Sequence, residues 1–383
     1  MPPSYRIHRL LGRGGFGRVY QASTTGPTGE QLVVALKLVD PDRITEASLA
    51  ELRTEARIAA LLRDPLVVAT EAPFLLQGRW AVQMAYVDGA SLHRVLSEHG
   101  RIPPRPAVDI AWRLLDGLAR LVTLRGPHGP LNFIHHDIKP GNVQLTPLGA
   151  VRLLDFGTSF VEGLGLAHAA SPEDVVGTPG FIAPERFRCI DDPKGDVYSV
   201  GVLLHRMVAG SMPSEPPPTD PALADALELA SWLRTGKLDE RPTAAEAEQQ
   251  LATLHRRMPG PSLADWAGTA RPVPRGLPPD DLVGQVLQTT EHEMPLVPAR
   301  TRPRTLTPSS EPVADVAPGN PFGPALQAPR PPNRPSEPGA PPEVASTSPP
   351  TGPPWLLLLA VAAAFVVFVL SGCGVALLGW ALL

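Results

Sequence analysis

Cysteine is scarce in this sequence: two residues, Cys189 and Cys373, in a chain of 383. They stand far apart, at no spacing that would hold a metal, and read as two reduced thiols in a reducing compartment. A strong excess of either charge is missing too. The formal net charge of -4 is too small to point to a nucleic-acid partner or an acidic tail. Residues 1–9 have no apolar run of the kind a secretory signal carries. The large N-terminal part of the chain is therefore expected to stay inside the cell. Over residues 355–383 charge disappears altogether.

What the sequence has in abundance is proline, 48 residues, and its uneven spread divides the chain into three. Residues 5–257 alternate strand-like and helix-like apolar patterns and read as the folded domain. Residues 258–354 are dominated by proline, small residues and arginine, without sustained apolar periodicity. Such a stretch buries too little apolar area to offset the entropy of ordering, and it reads as a largely disordered, partly extended linker. As a flexible coil its ends would lie on the order of 55 Å apart. Within it only residues 279–294 carry a weak helical pattern. The linker reads as a plain spacer, with docking of proline-recognising partners as the alternative. Residues 355–383 exceed the roughly 20 residues that a helix needs to cross a bilayer, and Trp355 and Trp380 stand near the ends, where interfacial aromatics lie. Arg330 and Arg334 precede this run and no basic residue follows it, so the linker side is expected in the cytoplasm. Leu370-Ser371-Gly372-Cys373 has the form of a lipobox, but lipoboxes act in N-terminal signals, so the match reads as coincidence.

Near the N-terminus, Gly12-Arg13-Gly14-Gly15-Phe16-Gly17-Arg18-Val19 forms the pattern G-x-G-x-x-G-x-V. The first six positions alone are ambiguous, because dinucleotide-binding folds share them. In those folds the glycines lead from a strand into a helix, with an acid about 20 residues further on. Here they join two strand-like runs, residues 5–11 and 19–23. A third run, residues 31–38, carries Val34-Ala35-Leu36-Lys37. A glycine hairpin can close over phosphates because no side chain keeps its backbone N–H groups away, and Lys37 then reaches the same phosphates. Residues 49–62 repeat apolar positions at helical spacing (Leu52, Ala56, Ala59, Ala60). That helix carries Glu51 and Glu55 one turn apart.

Four further runs follow in order: Phe133-Ile134-His135-His136-Asp137-Ile138-Lys139-Pro140-Gly141-Asn142, Asp155-Phe156-Gly157, Gly177-Thr178-Pro179-Gly180-Phe181-Ile182-Ala183-Pro184-Glu185, and Asp196-Val197-Tyr198-Ser199-Val200-Gly201, with Arg241-Pro242-Thr243 beyond them. Together with the glycine hairpin they resemble the protein kinases, over about two-thirds of the chain. The likeness is nearest to bacterial serine/threonine kinases of the eukaryotic-like type. It implies an α+β, bilobal fold: a small β-rich N-lobe over residues 5–86 and a larger helical C-lobe over residues 87–257, with ATP between them.

The resemblance also assigns roles. Phosphoryl transfer passes through a loose, highly charged transition state, so the protein mainly positions groups and neutralises charge. Asp137 would take the proton of the substrate hydroxyl, and Lys139 would stabilise the transferring phosphoryl group. Asn142 and Asp155 would hold Mg²⁺, or Mn²⁺, through hard oxygen ligands. Lys37 would contact the α- and β-phosphates, held by Glu55, with Glu51 as the alternative partner. Gly12, Arg13, Gly14, Gly15, Phe16 and Gly17 would cover the phosphates. Val19 and Ala35 would lie over the adenine, with Met84 as a buried gatekeeper and the backbone of Ala85, Tyr86 and Val87 bonding the base. The run 196–201 would form a buried helix that supports the loop carrying Asp137, and Arg241 would pair with Glu185. The adjacent His135 and His136 read as packing residues, since sequence neighbours seldom chelate one ion well.

Three departures stand out. His136 occupies the place of an arginine that binds an activation-segment phosphate in many kinases. Histidine is a weaker, pH-dependent cation, so activity is expected to depend little on phosphorylation at Thr158, Ser159 or Ser171. Gln144 stands where an apolar side chain floors the adenine site: either the strand alternation is shifted or the floor is partly polar. The stretch between Gly210 and Arg241 is short, with proline-rich residues 212–222, and a helix usual there is reduced. The function expected is a membrane-held kinase acting in signalling on serine or threonine residues of protein substrates. The alternatives are a membrane-bound pseudokinase scaffold and a small-molecule phosphotransferase, the latter disfavoured by Thr178 and Ala183-Pro184-Glu185. Autophosphorylation of linker residues Thr305 and Thr307 is permitted by the sequence.

Overall fold

The structure, a computed structural model, describes residues 3–14, 17–126, 129–161, 175–216, 218–273 and 276–289. Residues 4–85 build an antiparallel sheet from β1 (Ser4–Gly14), β2 (Gly17–Thr25), β3 (Gln31–Val39), β4 (Phe74–Leu76) and β5 (Arg79–Ala85). Its order is β1-β2-β3-β5-β4, with a sixth, late strand outside β1. Alternate residues of these strands face one side, as the two-residue period of a strand requires. Tyr5, Ile7, Leu10, Tyr20, Ala22, Leu36 and Leu38 accordingly form one buried cluster with Leu76 and Ala81. Helix α1 (Glu46–Leu61) opens on a capping box: Thr45 Oγ1 accepts from the Ser48 N–H at 3.1 Å, and Ser48 Oγ accepts from the Thr45 N–H at 2.8 Å. Leu52 on α1 packs with Val39 and Val82, while Ile58 and Ala59 reach the larger core below.

That core belongs to the helical part: α2 (Leu92–His99), α3 (Pro104–Thr123), α4 (Lys194–Ala209), α5 (Ala224–Leu233), α6 (Ala244–Arg257) and α7 (Leu263–Ala270). Helices α6 and α7 pack on α3, and α5 packs on α4. Gly201 lets α4 and α5 approach: a Cβ there would stand 2.8 Å from Leu233 Cβ. Strand β6 (Ala90–Ser91), the small pair β7 (Arg125–Gly126) and β8 (Gly129–Pro130), and the ribbon β9 (Val143–Leu145) with β10 (Val151–Leu153) complete this lobe, with β6 joined to β9. Among the described residues between α4 and α5 there is one 3-10 turn, Pro221–Leu223, and no α-helix.

Ordered structure continues past residue 257, where a linker was expected. Helix α7 follows it, and residues 276–289 return to the N-lobe. There β11 (Val286–Gln288) pairs antiparallel with β1, Ser4 opposite Gln288. Residues 279–289, read from sequence as part of a weak helix within a linker, form a turn and a strand instead. The physical reason is the outer edge of β1, which would otherwise be unpaired. The Ile7 N–H donates to Gln285 C=O at 2.9 Å, the Gly284 N–H donates to Ile7 C=O at 3.0 Å, and Leu282 and Leu287 enter the N-lobe core. Among the described residues no helix is long and apolar enough to cross a membrane. Residues 290–354 and the apolar run 355–383 lie outside the described residues.

If β11 belongs to the N-lobe, neighbouring truncations on it should differ sharply. Leu287, 3% exposed, should cost about 2–4 kcal/mol as Leu287→Ala. Val286, 41% exposed, should cost less than about 0.5 kcal/mol as Val286→Ala. Denaturant unfolding of the two variants measures the difference, and equal effects would remove β11 from the core.

Candidate active site

The two lobes enclose a cleft of about 1150 Å³. Its roof comes from β1, β2 and β3, where Gly12, Arg13, Gly14, Gly17, Val19 and Ala35 line it. Gly14 pairs with Gly17 across the hairpin; Gly15 and Phe16, at its tip, lie outside the described residues. Gly17 is required by close approach, since a Cβ there would stand 2.1 Å from Leu38 C=O. Strand β3 presents Lys37 inward, and its Nζ lies 3.2 Å from Glu55 Oε2 on α1. Glu51, one turn earlier, is exposed. Burial pushes the Glu55 carboxyl above its ordinary value; Lys37 opposes that rise and Asp155 adds to it.

Met84, Ala85, Tyr86 and Val87 line the back of the cleft at the crossing between lobes. Met84 borders the cavity and is half-buried, which corrects the expected full burial. The Ala85 N–H already donates to Ala69 C=O at 2.8 Å, so of this trio the Ala85 amide is committed within the chain. Gln144 lines the floor, while its neighbours Val143 and Leu145 are fully buried in the C-lobe core. The strand alternation is therefore not shifted, and the floor carries a polar side chain.

At the front, the loop 133–142 is fixed from beneath. Asp196, at the start of α4 and 2% exposed, accepts from the His135 N–H at 2.6 Å and from the His136 N–H at 3.0 Å. His135 donates from Nε2 to Leu154 C=O at 3.1 Å and accepts the Asp137 N–H on Nδ1 at 3.3 Å. That pattern is the neutral tautomer, and burial lowers the pKa of the ring accordingly. Phe156 packs against it with ring centroids 5.3 Å apart. Around Asp137 the polar groups converge. Thr178 Oγ1 donates to Oδ1 at 2.7 Å, Asn142 Nδ2 donates to Oδ2 at 3.0 Å, and Lys139 Nζ lies 2.6 Å from Oδ2. Lys139 also donates to Thr178 Oγ1 at 2.9 Å. Asp155 is exposed to the cleft with a positive φ of 64°, and His136 has 68°. Non-glycine residues seldom take this conformation, and it clusters at functional sites.

His136 does not stand open to a phosphate. Its Nδ1 donates to Thr158 C=O at 3.1 Å, and its Nε2 lies 3.0 Å from an Arg186 guanidinium nitrogen and 3.3 Å from Asp191 Oδ1. Arg186 is itself ion-paired with Asp191. The cation nearest this place is thus already neutralised by a carboxylate of the same chain. The Thr158 and Ser159 hydroxyls both donate to His135 C=O, at 3.2 and 3.4 Å, so both are tied into the fold; Ser171 lies outside the described residues. Arg186 and Asp191 were not singled out from the sequence. The only signal was their position just after Glu185, which pairs as expected with Arg241 at 2.5 and 2.9 Å.

Comparison with known proteins gives the family. The family described as "Protein kinase domain" matches residues 5–258. Serine/threonine-protein kinase PknA of Mycobacterium tuberculosis is 30% identical over 301 residues, covering 71% of this chain and 67% of that protein. Serine/threonine-protein kinase PknD of the same organism is 31% identical over 246 residues, 61% of this chain and 34% of its own length. Serine/threonine-protein kinase pkn2 of Myxococcus xanthus is 34% identical over 224 residues, 56% and 25% respectively. The chain belongs to the protein kinase family, among the serine/threonine protein kinases.

Asp196→Ala leaves two buried backbone N–H groups without their charged acceptor. It should lower stability by about 3 kcal/mol and raise hydrogen exchange at residues 133–142 first. Exchange rising uniformly across the C-lobe instead would show that Asp196 supports the lobe and not this loop.

Proposed function

We propose that the protein transfers the γ-phosphate of ATP to serine and threonine hydroxyls of protein substrates, in signalling at the cytoplasmic face of a membrane. The observation that carries this reading is the convergence on Asp137 of Thr178, Asn142 and Lys139, in the cleft that also holds the Lys37–Glu55 pair. Lys37, oriented by Glu55, anchors the α- and β-phosphates. The glycine hairpin, Gly12 to Gly17, closes over them, while Val19, Ala35 and Met84 enclose the base above the Gln144 floor. Asp137 accepts the proton of the incoming hydroxyl and aligns its oxygen with the γ-phosphorus. Lys139 neutralises charge on the transferring group, and Thr178 bridges it to Asp137.

The donor set suits a hard divalent cation. Asn142 commits its amide nitrogen to Asp137, leaving its oxygen with the Asp155 carboxylate to hold Mg²⁺ or Mn²⁺, which when bound neutralises phosphate charge. Membrane attachment rests on the uncharged run 355–383 with its flanking tryptophans. Within this reading the linker is a spacer, with proline-recognising partners as a further role.

The test is label transfer from ATP to a generic basic protein in Mg²⁺. Asp137→Asn should lower kcat about 10²–10⁴-fold, and Lys37→Met should abolish transfer. Nucleotide binding without transfer by folded wild type would move the assignment to a scaffold. A second expectation concerns the floor: Gln144→Leu should lower the KM for ATP about fivefold, the effect of roughly 1 kcal/mol of added apolar contact. A KM that rises would place Gln144 in a specific contact with the base. Cell fractionation of the full chain against residues 1–354 tests the anchor, and an unchanged distribution would remove it.

A further inference from the structure

The segment 276–289 lies beyond the residues that match the kinase family, yet it touches the base of the glycine hairpin. Asp280 is 9% exposed at its side chain. Its Oδ2 accepts from Arg18 Nη1 at 2.9 Å and from the Tyr20 hydroxyl at 2.6 Å, and its Oδ1 accepts from the Leu282 N–H at 3.2 Å. Asp281 and Asp40 add weaker pairs to Arg18, at 3.4 and 3.9 Å. Arg18 sits opposite Arg13, one pair down from the Gly14–Gly17 closure. The backbone is tied as well: the Leu277 N–H donates to Leu10 C=O at 2.8 Å.

Successive residues of a strand face opposite sides. On β2, Val19 faces the cleft, while Arg18 and Tyr20 face the returning segment. A turn rich in glycine has little stiffness of its own, so the angle at which it covers a ligand is set at its base. We propose that Asp280 is a positioning residue for the nucleotide: by holding Arg18 and Tyr20 from outside the cleft, it fixes the hairpin that covers the phosphates from within. Burial pushes the Tyr20 hydroxyl up to about 12, so it stays a donor at any working pH. The Asp280 carboxyl, which desolvation would raise, is held below its ordinary value by the hydrogen bonds from Tyr20, the Leu282 amide and Arg18.

This inference rests on the nucleotide reading above. The experiment compares full-length wild type, Asp280→Ala, Arg18→Ala and the double variant. The readouts are the Kd of a fluorescent ATP analogue, the KM for ATP and for protein substrate, and hydrogen exchange over residues 8–24. Asp280→Ala should raise the Kd and the KM for ATP about fivefold, with the KM for protein substrate unchanged, and the double variant should be no worse than the worse single, as for coupled partners. An unchanged Kd, or strictly additive single effects, overturns the proposal. If wild type binds no nucleotide, the kinase reading fails on its own; exchange at residues 8–24 then decides, and unchanged protection in Asp280→Ala overturns the inference. Should Asp280→Ala fail to fold, Asp280→Asn keeps an acceptor for Tyr20, removes the charge facing Arg18 and is judged by the same criteria.

Discussion

The interaction on which the site depends is the acceptance of two consecutive backbone N–H groups by one buried carboxylate, Asp196. A buried N–H without a partner is costly, and a buried carboxylate without donors more so. Each therefore holds the other in one place. Because Asp196 stands on α4, the most enclosed helix of the C-lobe, the loop 133–142 inherits the rigidity of the core. His135 is neutral and wedged between Leu154 C=O and Phe156, and it passes that rigidity to residues 154–157. The positive φ of His136 and Asp155 is the strain this arrangement sustains. Asp137 can then be surrounded by Thr178, Asn142 and Lys139 with little freedom left.

Three ion pairs near the site do different work. Glu185 and Arg241 are both buried, and Arg241 also donates to the Thr235 and Lys194 carbonyls. Such a pair need not stabilise more than an apolar substitute, but losing one partner leaves a buried charge unmatched, so it fixes the end of the 177–185 run against the lobe. Lys37 and Glu55 border an open cleft. Desolvation raises the Glu55 pKa and the charge of Lys37 opposes that rise. The pair is a joint between β3 and α1 that a shift of the helix would break. Arg186 and Asp191 close a third pair beside His136. A carboxylate built into the chain occupies the cation there, which gives a physical basis for expecting little dependence on activation-segment phosphate.

The legible part of this protein is the part whose chemistry requires fixed residue types at short spacing. The glycine hairpin, Lys37 with Glu55, the 133–142 run and the Glu185–Arg241 partnership could all be read from the sequence, and the structure places Lys37 beside Glu55, Asn142 and Lys139 beside Asp137, and Arg241 on Glu185. Gln144 was legible as a departure but not in its consequence, because only the burial of Val143 and Leu145 shows which way the strand faces. Arg186 and Asp191 were not legible, since no local pattern says that two residues five apart will meet a histidine fifty positions earlier. Met84 is less buried than the resemblance implied, because it borders the cavity.

The ordered residues past 257 have the most to teach. Residues 276–289 look like linker because prolines surround them and the strand is three residues long. What makes them structure is not their own propensity but an edge waiting on β1, to which Leu282 and Leu287 add apolar anchors and Asp280 a polar one. Tertiary context of this kind overrides composition. It also changes the logic of the chain. Residues 276–289 are thereby joined, through β11 and Asp280, to β1 and β2, the strands that form part of the cleft roof.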